Sequence, residues 1–302
     1  MNSEPQVSVV MPSYQSAEHI RAALGALATQ KTSASYEIIV VDSSSDGTDL
    51  IIEREFPGVR LLHFKERRSA GTARNIGIAA AKGDAILFMD SDTIPCPTWL
   101  EQMWDALNHG ADGICGGMSN GTPWSITGSS GFYLEFSRFL THGGAPEPAC
   151  LLVSGNSGFR REALAGTHYA DRSAGEDFLL SLQLLESGRR LLFVPGASVA
   201  HQNRRGLRRV VQHQRQLGIG AHFYQSRHSP AAMRLFRALP PLVFLMPFGV
   251  MLWIGWTILW RRRLGDLLRF GVTLPLSFVA NAAWAMGLYG ALRAAQREAG
   301  TA

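Results

Sequence analysis

Residues 85–92 read AILFMDSD, an apolar run that ends in two carboxylates one residue apart. The apolar part, Ala85 to Met89, has the length and composition of a buried strand. Similar runs cover Val7 to Met11, Glu37 to Asp42 and Leu191 to Val194, and the stretches between them have helical spacing. Buried strands that alternate with helices are typical of an α/β protein with a mainly parallel sheet, which is the fold class we predict.

Polar residues follow three of these runs, at the ends of the predicted strands. They are Pro12, Ser13 and Tyr14, then Asp42 and Ser44, then Asp90, Ser91 and Asp92. Since ligands of open α/β sheets bind outside the carboxyl ends of the strands, we expect these side chains to border one cleft. Two carboxylates at a strand end suit a divalent cation together with a ribose or phosphate. A turn or a helix cap has the same composition.

Two predicted helices follow the strands directly. Ser16 is the expected cap of the first, and Pro97 opens the second, which ends at Gly110. From Gly110 to Gly158 the chain is rich in Gly, Ser and Pro, which predicts loops and short strands rather than another crossover helix.

The composition excludes several classes of protein. Of 302 residues, 46% are apolar and 18% are charged, with a net charge of +5, so a disordered or collagenous chain is excluded. Cys96, Cys115 and Cys150 form no Cys-x-x-Cys pair, so neither a disulfide framework nor a structural zinc site is indicated. A reducing compartment fits this cysteine usage.

The last quarter of the chain is too apolar for a soluble surface. Uncharged segments run from Leu239 to Trp260 and from Phe270 to Leu292, each long enough to cross a hydrocarbon core of about 30 Å. They predict two membrane-embedded helices, and a soluble helical hairpin is the alternative. The predicted domains are an α/β domain at 1–205, a basic juxtamembrane segment at 206–237, and a membrane hairpin with a short tail at 238–302.

Basic residues gather just before the first apolar segment. No aromatic stacking platform or nucleic-acid motif accompanies them, so we expect contact with anionic lipid rather than with nucleic acid. The arginines of this belt are Arg204, Arg205, Arg208, Arg209, Arg215, Arg227, Arg234 and Arg237.

The ends of the chain bear on its membrane topology. Met1 to Val10 lack a basic start followed by an apolar run, so we expect the catalytic domain to stay in the cytoplasm, at the cell membrane. A hairpin that crosses twice would leave Arg261, Arg262, Arg263 and Arg269 on the far side, against the positive-inside rule. We predict a hairpin that crosses twice, because each segment matches a full span; two helices that enter and return on one side are the alternative, which the charges favour.

Further ionisable residues stand at predicted helix and strand ends. Glu176 and Asp177 begin a predicted helix, where simple capping is the alternative to a functional role. Arg74 lies in a helix of small residues, where it can face a diphosphate or lie in solvent. His201 follows the strand that begins at Leu191 and can be a surface histidine or complete a metal site.

Six pieces occur in order within residues 5–216, and their order and spacing carry a resemblance. They are Pro12-Ser13-Tyr14, Val40-Val41-Asp42, Ala73-Arg74-Asn75, Asp90-Ser91-Asp92, Gly175-Glu176-Asp177 and His201. Together they resemble the family 2 glycosyltransferases of the GT-A fold.

The resemblance implies a nucleotide-sugar site and a divalent metal, Mg²⁺ or Mn²⁺. Asp42 would lie at the base and Asp90 near the ribose. The residues implied to bind the nucleotide sugar are Pro12, Ser13, Tyr14, Asp42, Ser44, Arg74, Asp90 and Ser91, and those implied to bind the metal are Asp92, Asp90 and His201.

The resemblance also implies an inverting displacement. Asp177 would remove a proton from the acceptor, with Glu176 as its acidic neighbour. The membrane segments favour a lipid-linked acceptor, and the other partners are the nucleoside-diphosphate sugar and membrane lipids. The expected acceptor-side residues are Gly155, Asn156, Ser157, Gln212 and Arg215.

Two positions depart from the family pattern. Ser69 stands where the arginine-bearing helix usually starts with asparagine, which leaves Arg74 in place. Gln216 replaces the tryptophan that follows Gln212 and Arg215 in processive members, so a non-processive enzyme is expected.

Three rival functions are weaker. Gly117 to Gly121 matches the Gly-x-Ser-x-Gly of serine hydrolases around Ser119, but the helix that this motif needs is not expected after it. A dinucleotide-binding oxidoreductase would need Gly-x-Gly-x-x-Gly after the first strand. A membrane-tethered nucleotide-sugar binder without catalysis would not need both Glu176 and Asp177.

Overall fold

The computed structural model describes residues 4–171 and 174–300, in two compact units. The first unit comprises residues 4–121, 141–171 and 176–202, and the second comprises 122–140, 174–175 and 203–300. The C-terminal part of the second unit begins at residue 203, three residues before the predicted boundary at 206. The second unit also includes residues 122–140, which the sequence analysis assigns to the first domain. Of the predicted tail, residues 301–302 lie outside the described part of the chain.

The elements are as follows. The strands are β1 Val7–Ser13, β2 Tyr36–Asp42, β3 Arg60–His63, β4 Ala85–Met89, β5 Thr93–Pro95, β6 Gly113–Asn120, β7 Glu147–Pro148, β8 Asn156–Arg160 and β9 Leu191–His201. The helices are α1 Ile20–Ala28, α2 Thr48–Glu55, α3 Ala70–Ala80, α4 Trp99–Asn108, α5 Ile126–Phe136, α6 Glu176–Glu186, α7 Leu207–His228, α8 Pro230–Ala238, α9 Met246–Trp260 and α10 Leu264–Gly300.

One sheet forms the centre of the first unit, in the order β3-β2-β1-β4-β8-β6-β9-β5, with β7 paired to β9. The four neighbouring strands β3, β2, β1 and β4 are parallel to one another, so their carboxyl ends lie along one edge of the sheet. β8 enters antiparallel between β4 and β6. The α/β prediction is confirmed, and the sheet is mixed rather than mainly parallel because β5, β7 and β8 all pair antiparallel.

The helices of the first unit bury the faces that their apolar spacing predicts. α1 buries Ile20, Leu24 and Leu27. The hydroxyl of Ser16, predicted to cap this helix, instead lies 2.7 Å from that of Ser91, and no side chain caps α1.

The stretch predicted to be loops and short strands is more regular than expected. It contains the eight-residue β6 and the eleven-residue α5. α5 belongs to the second unit and buries Phe132, Tyr133 and Phe136 there. Tertiary packing, rather than the weak helix propensity of Gly128 and Gly131, stabilises this helix.

The second unit is helical, and its two apolar segments match the prediction. Residues 240–260 and 264–297 are long and apolar enough to cross a membrane by length and composition. α10 packs closely on α7, because a Cβ added at Gly287 would lie 2.2 Å from the backbone oxygen of Arg215. Only glycine permits that approach.

Candidate functional site

Three strand ends of the first unit form one row, in which Ser13, Asp42 and His63 are register partners across β1, β2 and β3. Asp42 is fully buried. Its carboxylate accepts hydrogen bonds from the Ser44 hydroxyl at 2.6 Å, the Ser44 backbone N–H at 3.1 Å and the His63 Nδ1 at 2.8 Å. Asp42 and Ser44, both predicted site residues, thus bind each other. His63, which the sequence analysis missed, is a further partner of Asp42.

Beside this row lies an aromatic side chain. Tyr14 directly follows β1 and is 45% exposed, so its ring is open to a ligand. The guanidinium of Arg67 lies 4.6 Å from the centre of that ring. Pro12, the last residue but one of β1, is the register partner of Val41 in β2.

The end of β4 carries the predicted Asp90-Ser91-Asp92. The backbone N–H of Asp90 faces the Gly155 oxygen at 3.4 Å. A Cβ on Gly155 would lie 2.7 Å from the Asp90 carboxylate, so this glycine leaves room for that side chain. Thr93 donates its hydroxyl to the Asp90 backbone oxygen at 2.7 Å, which closes the turn into β5.

Arg74 of α3 connects two acidic segments of the chain. Its guanidinium donates to Asp90 at 2.8 Å and to Glu176 at 3.0 Å, and Arg74 is only 3% exposed. Tyr169 lies against it, with the ring centre 5.4 Å away. Arg74 therefore binds carboxylates instead of facing an open diphosphate site, and it brings the end of β4 and the start of α6 together.

Glu176 and Asp177 form the first turn of α6. Asp177 accepts hydrogen bonds from the backbone N–H groups of Phe178 at 2.8 Å and Ser154 at 3.4 Å. Burial, followed by the negative charge of Glu176, raises the pKa of Asp177 to about 7, against the opposing effect of Arg74. A carboxylate that titrates near neutral pH is suited to accept a proton in a reaction.

Four polar atoms around this acidic pair are buried, namely Arg74 Nε, Ser154 Oγ, Ser157 Oγ and Tyr169 Oη. The Tyr169 hydroxyl interacts with the hydroxyls of Ser154 and Ser157. Arg74 Nε has no hydrogen-bond partner among the described residues, so a ligand or water can complete its bonding.

The predicted metal ligands are only partly assembled. Asp92 Oδ1 lies 3.7 Å from His201 Nε2, because Thr93 and His201 are register partners of β5 and β9. Asp90 is paired with Arg74 instead. Within the described residues no three His, Cys, Asp or Glu side chains form a metal cluster. An oxygen and a nitrogen at this spacing fit a hard or borderline cation whose remaining ligands are water and substrate phosphates.

The expected acceptor-side residues separate into two groups. Asn156 is fully buried. Its side chain accepts from Trp99 and donates to Gly117 and Ala197, all at 2.7–3.0 Å. It therefore ties strands together and is not open to an acceptor.

Ser157 belongs to the same group as Asn156. It is buried next to Asn156 in β8, and its hydroxyl is one of the four buried polar atoms described above.

The other group lies in the second unit. Gln212 and Arg215 are exposed on α7, where Gln216 is exposed as well.

The hydrolase alternative is not supported by the position of Ser119. This serine lies within β6, and its hydroxyl donates to the Val199 backbone oxygen at 3.2 Å. A nucleophile elbow needs a serine at a sharp turn between a strand and a helix.

The chain is similar to proteins of one enzyme family. The family model described as glycosyl transferase family 2 matches residues 8–166. A glycosyltransferase AglE of Haloferax volcanii is 37% identical over 32% of this chain and 34% of its own length. A pre-mycofactocin glycosyltransferase of Mycobacterium tuberculosis is 28% identical over 83% of this chain. The match covers 53% of the mycobacterial protein, so the chain spans about a third to a half of these two relatives.

Among solved structures, a mannosyltransferase of Pyrobaculum calidifontis in complex with GDP-Man and Mn²⁺ has the same fold. The TM-score is 0.60, with 16% identity over 95% of this chain and 86% of that one.

Proposed function

The chain belongs to glycosyl transferase family 2, and on that basis we propose that it transfers a sugar from a nucleoside diphosphate to a hydroxyl or phosphate group, with inversion. The observation that carries this proposal is the position of Arg74. It holds Asp90 at the end of β4 and Glu176 at the start of α6, so the donor-side and base-side carboxylates belong to one site.

The donor side of the reaction follows from the strand ends. Ser13, Tyr14 and the Asp42–Ser44 pair lie where the nucleoside binds, and Asp90 and Ser91 lie at the next parallel strand end, where the ribose binds. Arg74 acts as a positioning residue, because its guanidinium is buried between two carboxylates. Its charge also keeps a share of Asp177 ionised near neutral pH.

Asp92 and His201 are the residues that would hold Mg²⁺ or Mn²⁺. The bound cation would neutralise the negative charge that develops on the departing diphosphate. The 3.7 Å approach of Asp92 to His201 supports the assignment, and so does the Mn²⁺ bound to the structural neighbour.

Asp177 is the proposed general base. In an inverting reaction it accepts the proton of the acceptor hydroxyl while that oxygen attacks the sugar carbon, and the nucleoside diphosphate leaves from the opposite face. Its pKa of about 7 leaves a large ionised fraction at neutral pH and a favourable proton affinity. A non-catalytic sugar-binding protein would have no use for such a carboxylate.

The test is a donor screen that measures nucleoside diphosphate release, with and without membranes and with Mn²⁺ or Mg²⁺ present. We expect turnover of one nucleotide sugar by the unchanged chain and loss of turnover in Asp177→Asn. Binding of a nucleotide sugar without any turnover by the unchanged chain would favour the non-catalytic alternative.

We further propose that the second unit binds a membrane. In the middle of α10, residues 271–290, the polar side chains of Thr273, Ser277 and Asn281 are buried. The exposed side chains of this part are apolar, with Val272 at 66% and Met286 at 55% exposed. A helix with this arrangement is stabilised when lipid covers its outer face.

The depth of insertion follows from the packing of α7. Gly287 lies within the second apolar segment, toward its C-terminal end, and contacts the Arg215 backbone of α7, a helix with exposed arginines. A full crossing by α10 would place this basic helix in the hydrocarbon core at high cost. The length of the apolar segments favours crossing, but the contact between α10 and α7 supports shallow insertion from one side. The arginine belt, exposed at all eight positions, suits anionic lipid at that surface.

Labelling distinguishes the two topologies. We expect a cysteine that replaces Gly265, between the apolar helices, to react with an impermeant thiol reagent only after permeabilisation of the cells. Cys150, which is exposed in the first unit, reports the side of the catalytic domain in a parallel sample. Labelling of position 265 in intact cells would refute shallow insertion. A membrane location of this kind gives access to a lipid-linked acceptor, the acceptor class that we propose.

A further inference from the structure

The nucleoside end of the proposed donor site contains a histidine to which no role has been assigned. His63 ends β3 in the same row as Ser13 of β1 and Asp42 of β2. The Ser13 hydroxyl is buried and has no hydrogen-bond partner among the described residues. The row therefore contains a polar atom that a ligand can satisfy, next to a histidine that is partly open to solvent.

Asp42 cannot itself reach a ligand in this arrangement. Its side chain has no exposed surface. Oδ1 accepts from the Ser44 hydroxyl, and Oδ2 accepts from the Ser44 N–H and from His63. Three of the roughly four acceptor positions of the carboxylate are taken, and the protein covers the rest.

His63 is the member of this group that remains accessible. Its side chain is 31% exposed. Because an ionised carboxylate only accepts hydrogen bonds, the 2.8 Å contact with Asp42 places a hydrogen on His63 Nδ1. In the neutral ring Nε2 then carries a lone pair, and no described residue donates to it. Asp42 thus fixes the tautomer of a partly exposed histidine and leaves its Nε2 as an acceptor.

The neighbouring planar groups do not discriminate between bases. Tyr14 and the guanidinium of Arg67 are stacked at 4.6 Å, and either can support the face of any base. The Gln15 backbone N–H donates to the Ser44 hydroxyl at 2.7 Å, and the Arg68 N–H donates to the Ser43 hydroxyl at 3.2 Å. These two bonds hold the segments of Tyr14 and Arg67 against the end of β2.

We infer that His63 reads the base of the donor and selects a nucleoside diphosphate whose base has a ring N–H on its pairing edge. This inference rests on the proposed glycosyltransferase function. Uracil and guanine have such an N–H and can donate it to Nε2. Cytosine and adenine have a lone pair at the corresponding ring nitrogen, so two acceptors would face each other and neither would be satisfied.

The experiment measures binding of nucleoside diphosphates to the purified full-length chain by calorimetry, with Mn²⁺ at pH 8, where a histidine side chain is ordinarily neutral. The ligands are UDP, GDP, CDP and ADP, with 3-methyl-UDP and 1-methyl-GDP as probes in which a methyl group replaces the hydrogen of the ring N–H. We expect UDP or GDP to bind at least about tenfold more tightly than CDP and ADP, and N-methylation to remove that advantage.

Two substitutions separate the two roles of His63, which are to accept a hydrogen bond at Nε2 and to donate one to Asp42 from Nδ1. His63→Asn keeps a donor close to the position of Nδ1 but has no group at Nε2, so the penalty of N-methylation should fall below about twofold. His63→Gln offers its carbonyl oxygen close to the position of Nε2 and should retain part of the penalty. His109→Ala, which changes a histidine at the exposed end of α4, serves as the control and should behave like the unchanged chain.

The outcomes distinguish this inference from the function on which it rests. If no nucleoside diphosphate bound to the unchanged chain, the glycosyltransferase proposal would itself be refuted. If UDP or GDP bound and His63→Asn kept the full methylation penalty, or if CDP or ADP bound best, the role of His63 would be refuted while the proposed activity stood.

Discussion

Replacement of Arg74 by glutamine tests whether one buried cation organises the site. Arg74 makes hydrogen bonds of 2.8 Å and 3.0 Å with Asp90 and Glu176, with 4% of its side chain and 12% of that of Glu176 exposed. Removal of one partner from a buried ion pair costs about 3–5 kcal/mol, because the other charge stays buried without compensation. We expect the free energy of unfolding to fall by about this amount.

The same substitution should change the pH dependence of catalysis. Asp177 accepts a proton only when it is ionised, so kcat/KM should rise with pH through about 7 in the unchanged chain. The charge of Arg74 lowers the pKa of Asp177, and its loss must raise that pKa. An opposite charge at this range shifts a carboxyl pKa by about 1–3 units, so the midpoint should move to higher pH by about one unit or more.

The assay is nucleoside diphosphate release between pH 5 and 9, combined with thermal unfolding of the same samples. Arg21→Gln is the matched control, since Arg21 lies 2.6 Å from Glu55 but both side chains are exposed. Solvent screens such a surface pair, so its loss should leave both the unfolding transition and the pH profile nearly unchanged. A midpoint in Arg74→Gln that stayed in place or moved to lower pH would refute the assigned role of Arg74.

Three further substitutions test the metal site, the base and the helix contact. Asp92→Asn should lower metal-dependent turnover by at least about 10², and full turnover of this variant in excess chelator would exclude Asp92 as a ligand. Asp177→Asn should lower kcat by at least about 10² while nucleotide binding, measured by calorimetry, survives. Because the folded-state pKa of Asp177 is raised to about 7, the stability contribution of this residue is lost as pH rises from about 4 to about 7. The melting temperature of the Asn variant should therefore exceed that of the unchanged chain at pH 8, by about 2–4 °C for each kcal/mol, and match it near pH 4. Gly287→Ala should cost about 1–3 kcal/mol, since its Cβ would lie 2.2 Å from a backbone oxygen of α7, whereas Gly290→Ala, with no atom within 4 Å, should be neutral or slightly stabilising by thermal unfolding.

The sequence predicts β1, β2 and β4 because each contains a buried apolar run, whereas β3, a partly exposed strand of four residues, was not predicted. The ends of β1, β2 and β4 fall within two residues of their predicted positions, so Ser13, Asp42 and Asp90 lie where expected. Local composition has no comparable signal for β8, whose antiparallel position depends on the strands around it. For the same reason Asn156 resembled a ligand-binding residue although it bonds three other segments.

The charges of the site are harder to predict than its strands. Arg74 and Glu176 are 102 residues apart in the chain, and no spacing rule connects them. In the sequence, nothing marks His63 as a site residue except that it directly follows two apolar residues at the end of a strand. That position is informative once the register of β1, β2 and β3 is known, since all three strand ends then form a single row.

The strand order has a consequence for how the chain is synthesised and how it can be shortened. β6 pairs on one side with β8 and on the other with β9, and both follow it in the chain. Until residue 201 has been made, β6 has at least one open edge, and open strand edges of partly folded chains pair with other molecules. A fragment that stops at residue 166, where the family match ends, lacks β9 altogether. Expression of the catalytic half therefore requires the chain through His201, and shorter fragments should form aggregates.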